Sequence, residues 1–154
     1  MANILEGNFS PPVGRFAILA ARFNGTIVED LVAGCVDGLR RHGVPDNAMD
    51  VIRVPGSFEI PLVARKAALS QKYVAVICLG CVVRGETSHY DHVAGEAASG
   101  VARAGLDAGI PVVFGILTTE NMEQALNRSG GKSGNKGFDA ALTAIEMVNL
   151  LAKM

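Results

Sequence analysis

Short apolar runs alternate along this chain with segments whose apolar residues recur at helical spacing. That alternation restricts the fold more than any other feature. Four runs have strand length: Phe16 to Ala21, Met49 to Val54, Val74 to Leu79 and Val112 to Leu117. Behind the first, Ile27, Leu31, Cys35 and Leu39 recur every four residues and mark one helix face. Thr26 and Glu29 stand at capping-box spacing before that face, and Gly43 and Pro45 end it. A second helix is expected from about Pro61 to Ser70, with the proline in its first turn. A third carries Val93, Ala97 and Val101 on one face and stops at Gly109 and Pro111. After the fourth run come a short helix, Glu120 to Asn127, the polar loop RSGGKSGNKG, and a last helix striped by Phe138, Leu142, Ile145, Asn149 and Ala152. The predicted order is βαβαβαβαα. It specifies an α/β fold, a three-layer αβα sandwich around a four-stranded parallel sheet with right-handed crossovers. Val74 to Leu79 lacks polar alternation, as expected of a strand covered on both faces. Residues 1–14 are polar and aperiodic and read as an N-terminal arm, and residues 1–154 read as one domain.

Fourteen basic and 15 acidic side chains leave a formal net charge of −1, which argues against a general nucleic-acid binder. Hydrophobic residues make up 49% and charged residues 19%, so part of the apolar surface of so small a chain is expected to be buried against other subunits. The longest apolar stretches are too short to span a bilayer, and the N-terminus lacks a signal-peptide pattern, so a cytoplasmic location is expected. Cys35, Cys78 and Cys81 make no disulfide framework. Cys78 and Cys81 form a CxxC, but one that closes an apolar strand instead of opening a helix, with no second cluster to complete a zinc site. Buried small residues are the expected reading.

Ligands of open parallel sheets sit beyond the carboxyl ends of the strands. Here that rule selects Arg22–Gly25, Pro55–Ile60, Gly80–Ser88 and Thr118–Glu120. The segment GCVVRGETSHYDHV, residues 80–93, combines a strand end, a turn and a helix start. A helix N-terminus can hold an anion, Thr87 and Ser88 can cap it or donate to phosphate, and His89 lies within one turn with a ring suited to proton transfer near neutral pH. Plain N-capping with a solvated His89 fits the same residues. Arg128, Lys132 and Lys136 supply cations between glycines. GGKS there is not a nucleotide-binding P-loop, since Leu126 replaces the first glycine and a helix precedes the segment; a solvated loop is the alternative. Phe23 could stack on a planar heterocycle or belong to the core. Glu59 could accept hydroxyl or ring N–H groups, or serve the helix dipole. His42 falls at a helix end, and His92 suits a surface or packing role, since two histidines without a third ligand make a poor metal site.

Taken together, ARFN, VPGSFEIP, GCVVRGETSHYDHV, FGILTTEN and NRSGGKSGNKG, in that order over nearly the whole chain, resemble the 6,7-dimethyl-8-ribityllumazine synthase family. The resemblance implies a flavodoxin-like fold and the condensation of 5-amino-6-(D-ribitylamino)uracil with 3,4-dihydroxy-2-butanone 4-phosphate, releasing phosphate and water. It implies that Phe23 stacks on the pyrimidine, and that Ser57, Phe58 and Glu59 contact the ring and ribityl chain. Cys81, Val82 and Val83 would line the ring pocket through their backbone. Glu86 and Thr87 would bind phosphate through N–H groups, and His89 would move protons. Phe114 and Arg128 would come from a neighbouring subunit, Arg128 on the phosphate, with Lys136 near the pyrimidine. Three positions depart from the family pattern: Cys81 stands where threonine is frequent, Glu86 where a small residue is frequent, and His92 where an aromatic is frequent. No cofactor or metal is implied, because the substrate's own amine forms the imine. The expected partners are the two small-molecule substrates, further copies of this chain in a homopentamer or an icosahedral shell of pentamers, and riboflavin synthase as a candidate protein partner. Neither nucleic acid nor membrane is among them.

Overall fold

The computed structural model describes residues 1–154. Four parallel strands, β1 (Phe16–Ala21), β2 (Met49–Val54), β3 (Ala75–Val83) and β4 (Val112–Thr119), form one sheet in the order β2-β1-β3-β4. The connections are α1 (Gly25–Arg41), α2 (Ile60–Leu69) and α3 (His89–Ala108); α4 (Met122–Arg128) and α5 (Lys136–Leu151) follow the last strand.

Successive residues of a strand point to opposite faces, and the sequence of β1 uses both. Phe16, Ile18 and Ala20 enter a core shared with Leu31, Cys35 and Leu39 of α1 and Ala141 and Ile145 of α5. Ala17, Leu19 and Ala21 enter a second core with Ile60 and Ala64 of α2 and Ala97 and Val101 of α3. The three-layer α/β reading therefore holds. The sheet is the middle layer, and every residue of β1 is buried because both faces are covered.

Three local expectations are corrected. The capping box at Thr26 and Glu29 does not form. Helix α1 begins at Gly25 behind Asn24, and Glu29 instead takes both guanidinium arms of Arg53 on β2. Strands β3 and β4 run further than the apolar pattern indicates, to Val83 and Thr119, so Gly80 lies inside a strand and not in a loop. The reason is a close approach, because a Cβ on Gly80 would overlap the Ser57 hydroxyl. The buried face of α5 is Gly137, Ala140, Ala141, Ala144 and Ile145, rotated from the stripe through Phe138, Leu142 and Asn149, which is only partly buried. Small side chains let α5 lie tight on α1, with Gly38 against Ala141 and Gly137 against the Leu31 carbonyl.

The segment Ser129–Asn135 folds as a small antiparallel hairpin, β5 (Ser129–Gly131) with β6 (Gly134–Asn135), in place of a plain solvated loop. Asn135 then caps α5, its Oδ1 accepting from the Phe138 N–H at 3.1 Å while its Nδ2 donates to the Asp30 carbonyl at 3.0 Å. Residues 1–14 form no helix or strand. Residues 6–10 lie along the end of α5, where Asn149 Nδ2 donates to the Asn8 and Ser10 carbonyls and Lys153 Nζ to the Glu6 carbonyl.

Gly137→Ala would force its methyl into a backbone oxygen that cannot rotate away. The expected loss is about 1–3 kcal/mol, as for an overpacked core. Urea denaturation at fixed protein concentration measures it, and an unchanged midpoint would mean that the α1–α5 contact relaxes freely.

Candidate active site

The carboxyl ends of β1, β2 and β3 are stitched together by hydrogen bonds that continue the sheet into its loops. The N–H of Arg22 donates to the Val54 carbonyl at 2.8 Å, and the N–H of Phe23 to the Pro55 carbonyl at 3.1 Å. This places Phe23 beside the loop that carries Ser57, Phe58 and Glu59. Asn24 follows in the left-handed region at φ 56°, a conformation that asparagine tolerates better than most side chains, and its Nδ2 donates to the Cys81 carbonyl at 2.8 Å. The turn from β1 into α1 is thereby tied to β3. Phe23 itself is 71% exposed and belongs to neither core, which removes the core reading of this residue.

Ser57 is buried, and its hydroxyl faces the gap in β3 left by Gly80. Beyond that gap Cys81, Val82 and Val83 form the last part of β3 and the wall of a recess of about 240 Å³, closed by Phe23, Asn24, Thr87, His89, Tyr90 and Val93. The recess opens into a shallower trough of about 490 Å³ that shares Phe23, Ser57 and His89 and adds Phe58, Glu59 and His92. One continuous cleft thus offers an inner part walled by the end of β3 and an outer part that adds the Glu59 carboxylate and His92, the form of a small-molecule site.

Between β3 and α3, residues 84–89 are exposed. Ser88 precedes the helix without a side-chain cap; Thr87 Oγ1 accepts weakly from the His89 N–H at 3.3 Å. The backbone N–H groups of residues 85–88 donate to no protein acceptor, so they and the positive end of α3 are available to an anion. The Cys81 thiol is a poor nucleophile here, because burial pushes its pKa up to about 11. Burial raises Cys78 further, and both stay protonated and free, as the buried reading of the CxxC requires. His42 Nδ1 lies 2.7 Å from the Gly38 carbonyl at the end of α1 and is accounted for there.

The remaining sequence-selected residues lie elsewhere. Phe114 is opposite Cys78 in the β3–β4 register, three residues short of Leu117 opposite Cys81. That is about 10 Å back along the strand from the cleft. It lines a separate recess with Lys136, Ala140, Thr143 and Met147, on the open edge of β4. Arg128 ends α4, and its Nη1 donates to the Gln124 carbonyl of its own helix at 3.1 Å. Glu86 is exposed on the loop outside the recess lining.

The match to the family profile of 6,7-dimethyl-8-ribityllumazine synthase extends over residues 14–152. The chain belongs to that family. A curated 6,7-dimethyl-8-ribityllumazine synthase of Chlorobium luteolum (strain DSM 273 / BCRC 81028 / 2530) is 54% identical over 150 residues, covering 97% of each chain. Within this lumazine synthase fold, the sequence reading missed Asn24, Tyr90 and Val93 in the recess and gave His92 only a surface or packing role. His92 and Val93 were recoverable, since residues three and four positions after His89 share its side of a helix. Asn24 was not, because its partner at Cys81 lies 57 residues away.

Asn24 generates a stability prediction that separates its two contributions. Asn24→Gly keeps the left-handed backbone and loses the bond to Cys81, at a cost of about 1 kcal/mol. Asn24→Ala loses the bond and strains the backbone, at a total of about 2–3 kcal/mol. Denaturation midpoints of the two variants should fall in that order, and equal values would remove the conformational argument.

Proposed function

We propose that this chain condenses 5-amino-6-(D-ribitylamino)uracil with 3,4-dihydroxy-2-butanone 4-phosphate in the cleft beyond β1, β2 and β3. The product is 6,7-dimethyl-8-ribityllumazine, formed with release of phosphate and water in the penultimate step of riboflavin biosynthesis. Family membership supports the reaction. The observation that carries its location is the convergence of Phe23, Ser57, Cys81, Thr87 and His89 on one recess.

The division of labour follows from the chemistry of each side chain. The exposed ring of Phe23 stacks on the pyrimidine over the wall of Cys81, Val82 and Val83. Ser57, Phe58 and Glu59 take the ring edge and the ribityl chain in the outer trough, with the Glu59 carboxylate accepting from hydroxyls. The phosphate sits on the N–H groups of Glu86 and Thr87 at the start of α3. The amine of the aminouracil attacks the ketone of the sugar phosphate and forms the imine with loss of one water, phosphate leaves, and ring closure by the ribitylamino nitrogen expels a second water. His89 stands between the phosphate loop and the ring pocket, where it can take and return the protons of these steps. Holding two substrates in register is the larger part of the task, since it makes a bimolecular encounter effectively intramolecular.

The cleft of one chain is half of the site in this proposal. Phe114 and Lys136 sit in a recess about 10 Å from it on the open β4 edge, and Arg128 lines neither. A neighbouring copy brings these residues to the cleft, with Arg128 on the phosphate and Lys136 near the pyrimidine. Exposed Leu62, Leu69 and Leu106 on α2 and α3 supply apolar surface for such contacts. Head-to-tail contacts that close give a ring, here of five copies, and five-fold rings can pack further into an icosahedral shell. No helix is long and apolar enough to cross a membrane, and a cytoplasmic setting beside riboflavin synthase completes the proposal.

Fluorescence of the product on mixing the two substrates tests the reaction directly. His89→Ala should slow it by ~10- to 10⁴-fold with assembly intact; wild-type turnover would remove His89 from proton transfer, and loss by His92→Ala alone would transfer the role. For the shared site, inactive Phe23→Ala and Arg128→Ala proteins are dissociated, mixed and reassembled. Activity should return, because a mixed interface can hold one intact Phe23 and one intact Arg128. Activity that stays at the level of the separate variants despite proven exchange would assign each site to one chain.

A further inference from the structure

The loop from Gly85 to Ser88 has little holding it in place. It is exposed, a Cβ on Gly85 would meet nothing within 4 Å, and its only side-chain bond near the helix start is the weak contact between Thr87 and the His89 N–H. Yet the proposed phosphate site and the position of His89 both depend on it. One side chain spans this loop from end to end. Arg84 follows the last residue of β3, and its backbone N–H donates to the Thr119 carbonyl at 2.8 Å, extending the β3–β4 ladder by one bond. Its guanidinium lies over the ring of Tyr90, 4.2 Å from the centroid. Its Nε donates to Glu120 at 2.8 Å and its Nη1 to Asp91 at 3.3 Å. Tyr90 and Asp91 are the residues directly after His89 in the first turn of α3.

We propose that Arg84 is a positioning residue that fixes the phosphate loop and His89 by clamping the first turn of α3 to the ends of β3 and β4. The inference rests on the reading of this loop as a phosphate site and extends it to a residue outside the recess. A flat, five-donor guanidinium can stack on a ring and bond two carboxylates at once; a lysine ammonium cannot reproduce that fork. The clamp also has an electrostatic part. Asp91 lies in the first turn of α3, at the loop proposed to hold phosphate, and Arg84 pairs with both Asp91 and Glu120 and offsets one of their two charges. Without it they repel the phosphate. The ion pairs are exposed, with side-chain accessibilities of 40% for Arg84, 63% for Asp91 and 59% for Glu120, so they add little to global stability. Loss of Arg84 should therefore be felt at the loop and not in the fold.

The test uses the intact assembled protein, with inorganic phosphate as the binding probe and steady-state kinetics with both substrates. Arg84→Met is expected to weaken phosphate binding and raise KM for the sugar phosphate by about tenfold, and to lower kcat. KM for the aminouracil and the Tm should stay near wild type. Arg84→Lys should restore part of the phosphate affinity by its charge, and less of kcat, because it lacks the fork. Adding Asp91→Asn and Glu120→Gln to Arg84→Met should recover phosphate affinity but not kcat, which separates repulsion from positioning. Unchanged phosphate affinity in Arg84→Met, an absence of phosphate binding by the wild type, or an equal rise of both KM values with a fallen Tm would each overturn the proposal. A wild type that binds phosphate but makes no lumazine would instead sink the reading of the reaction, and the clamp would still be judged by phosphate binding.

Discussion

Burial of the central strands on both faces is the constraint on which the rest of the structure depends. Six consecutive residues of β1 and most of β3 have no solvent-facing side, so helices must cover the sheet above and below. Helices α1 and α5 take one face and α2 and α3 the other, and β1, β3 and β4 send alternate residues into one core or the other. Parallel pairing then puts the carboxyl ends of all four strands on one side. The segments gathered there carry Phe23, Ser57, Glu59 and His89.

Close approach is the second theme, and it is achieved by leaving side chains out. Gly80 opens a gap in β3 that receives Ser57, Gly38 meets Ala141, and Gly137 meets the Leu31 backbone. These contacts draw α5 onto α1 and bring the loop before α2 against β3. In the cleft the effect is functional. Ser57 can be buried beside the last turn of sheet that forms the pocket wall only because the strand has no Cβ at that point.

The cleft joins elements that are tied into the sheet by hydrogen bonds to one that is not. Its floor belongs to β3, and the loop of Phe23 is bonded to both β2 and β3. The proposed anion side is an exposed segment between a strand and a helix, held at its two ends more than along its length. That contrast suits a site that must accept a phosphate ester and let phosphate go. Phe114, on the edge strand β4, and Lys136, at the start of α5, line a recess of their own apart from the cleft.

Local patterning sets the order of strands and helices, the two-sided burial and the loops where a ligand would sit. Each of these follows from periodicity or from the twist and handedness of the chain, which are local properties. The sequence also marked Phe23, Glu59, Thr87 and His89 by their place at strand ends or a helix start, and Ser57, Cys81, Val82 and Val83 through the family resemblance, and the structure brings them to one cleft. Only the tertiary structure decided that Gly80 is strand and not turn, that Asn24 is bonded to β3 and Thr26 caps nothing, and that the buried face of α5 is its alanines. It placed Phe114, Lys136 and Arg128 away from the cleft of their own chain, where the resemblance sets apart only Phe114 and Arg128. The physical reason is common to all of these. Each depends on a partner far away in the chain, such as Ser57 for Gly80, Cys81 for Asn24 and α1 for α5, and no local pattern records what a residue will meet once the layers close.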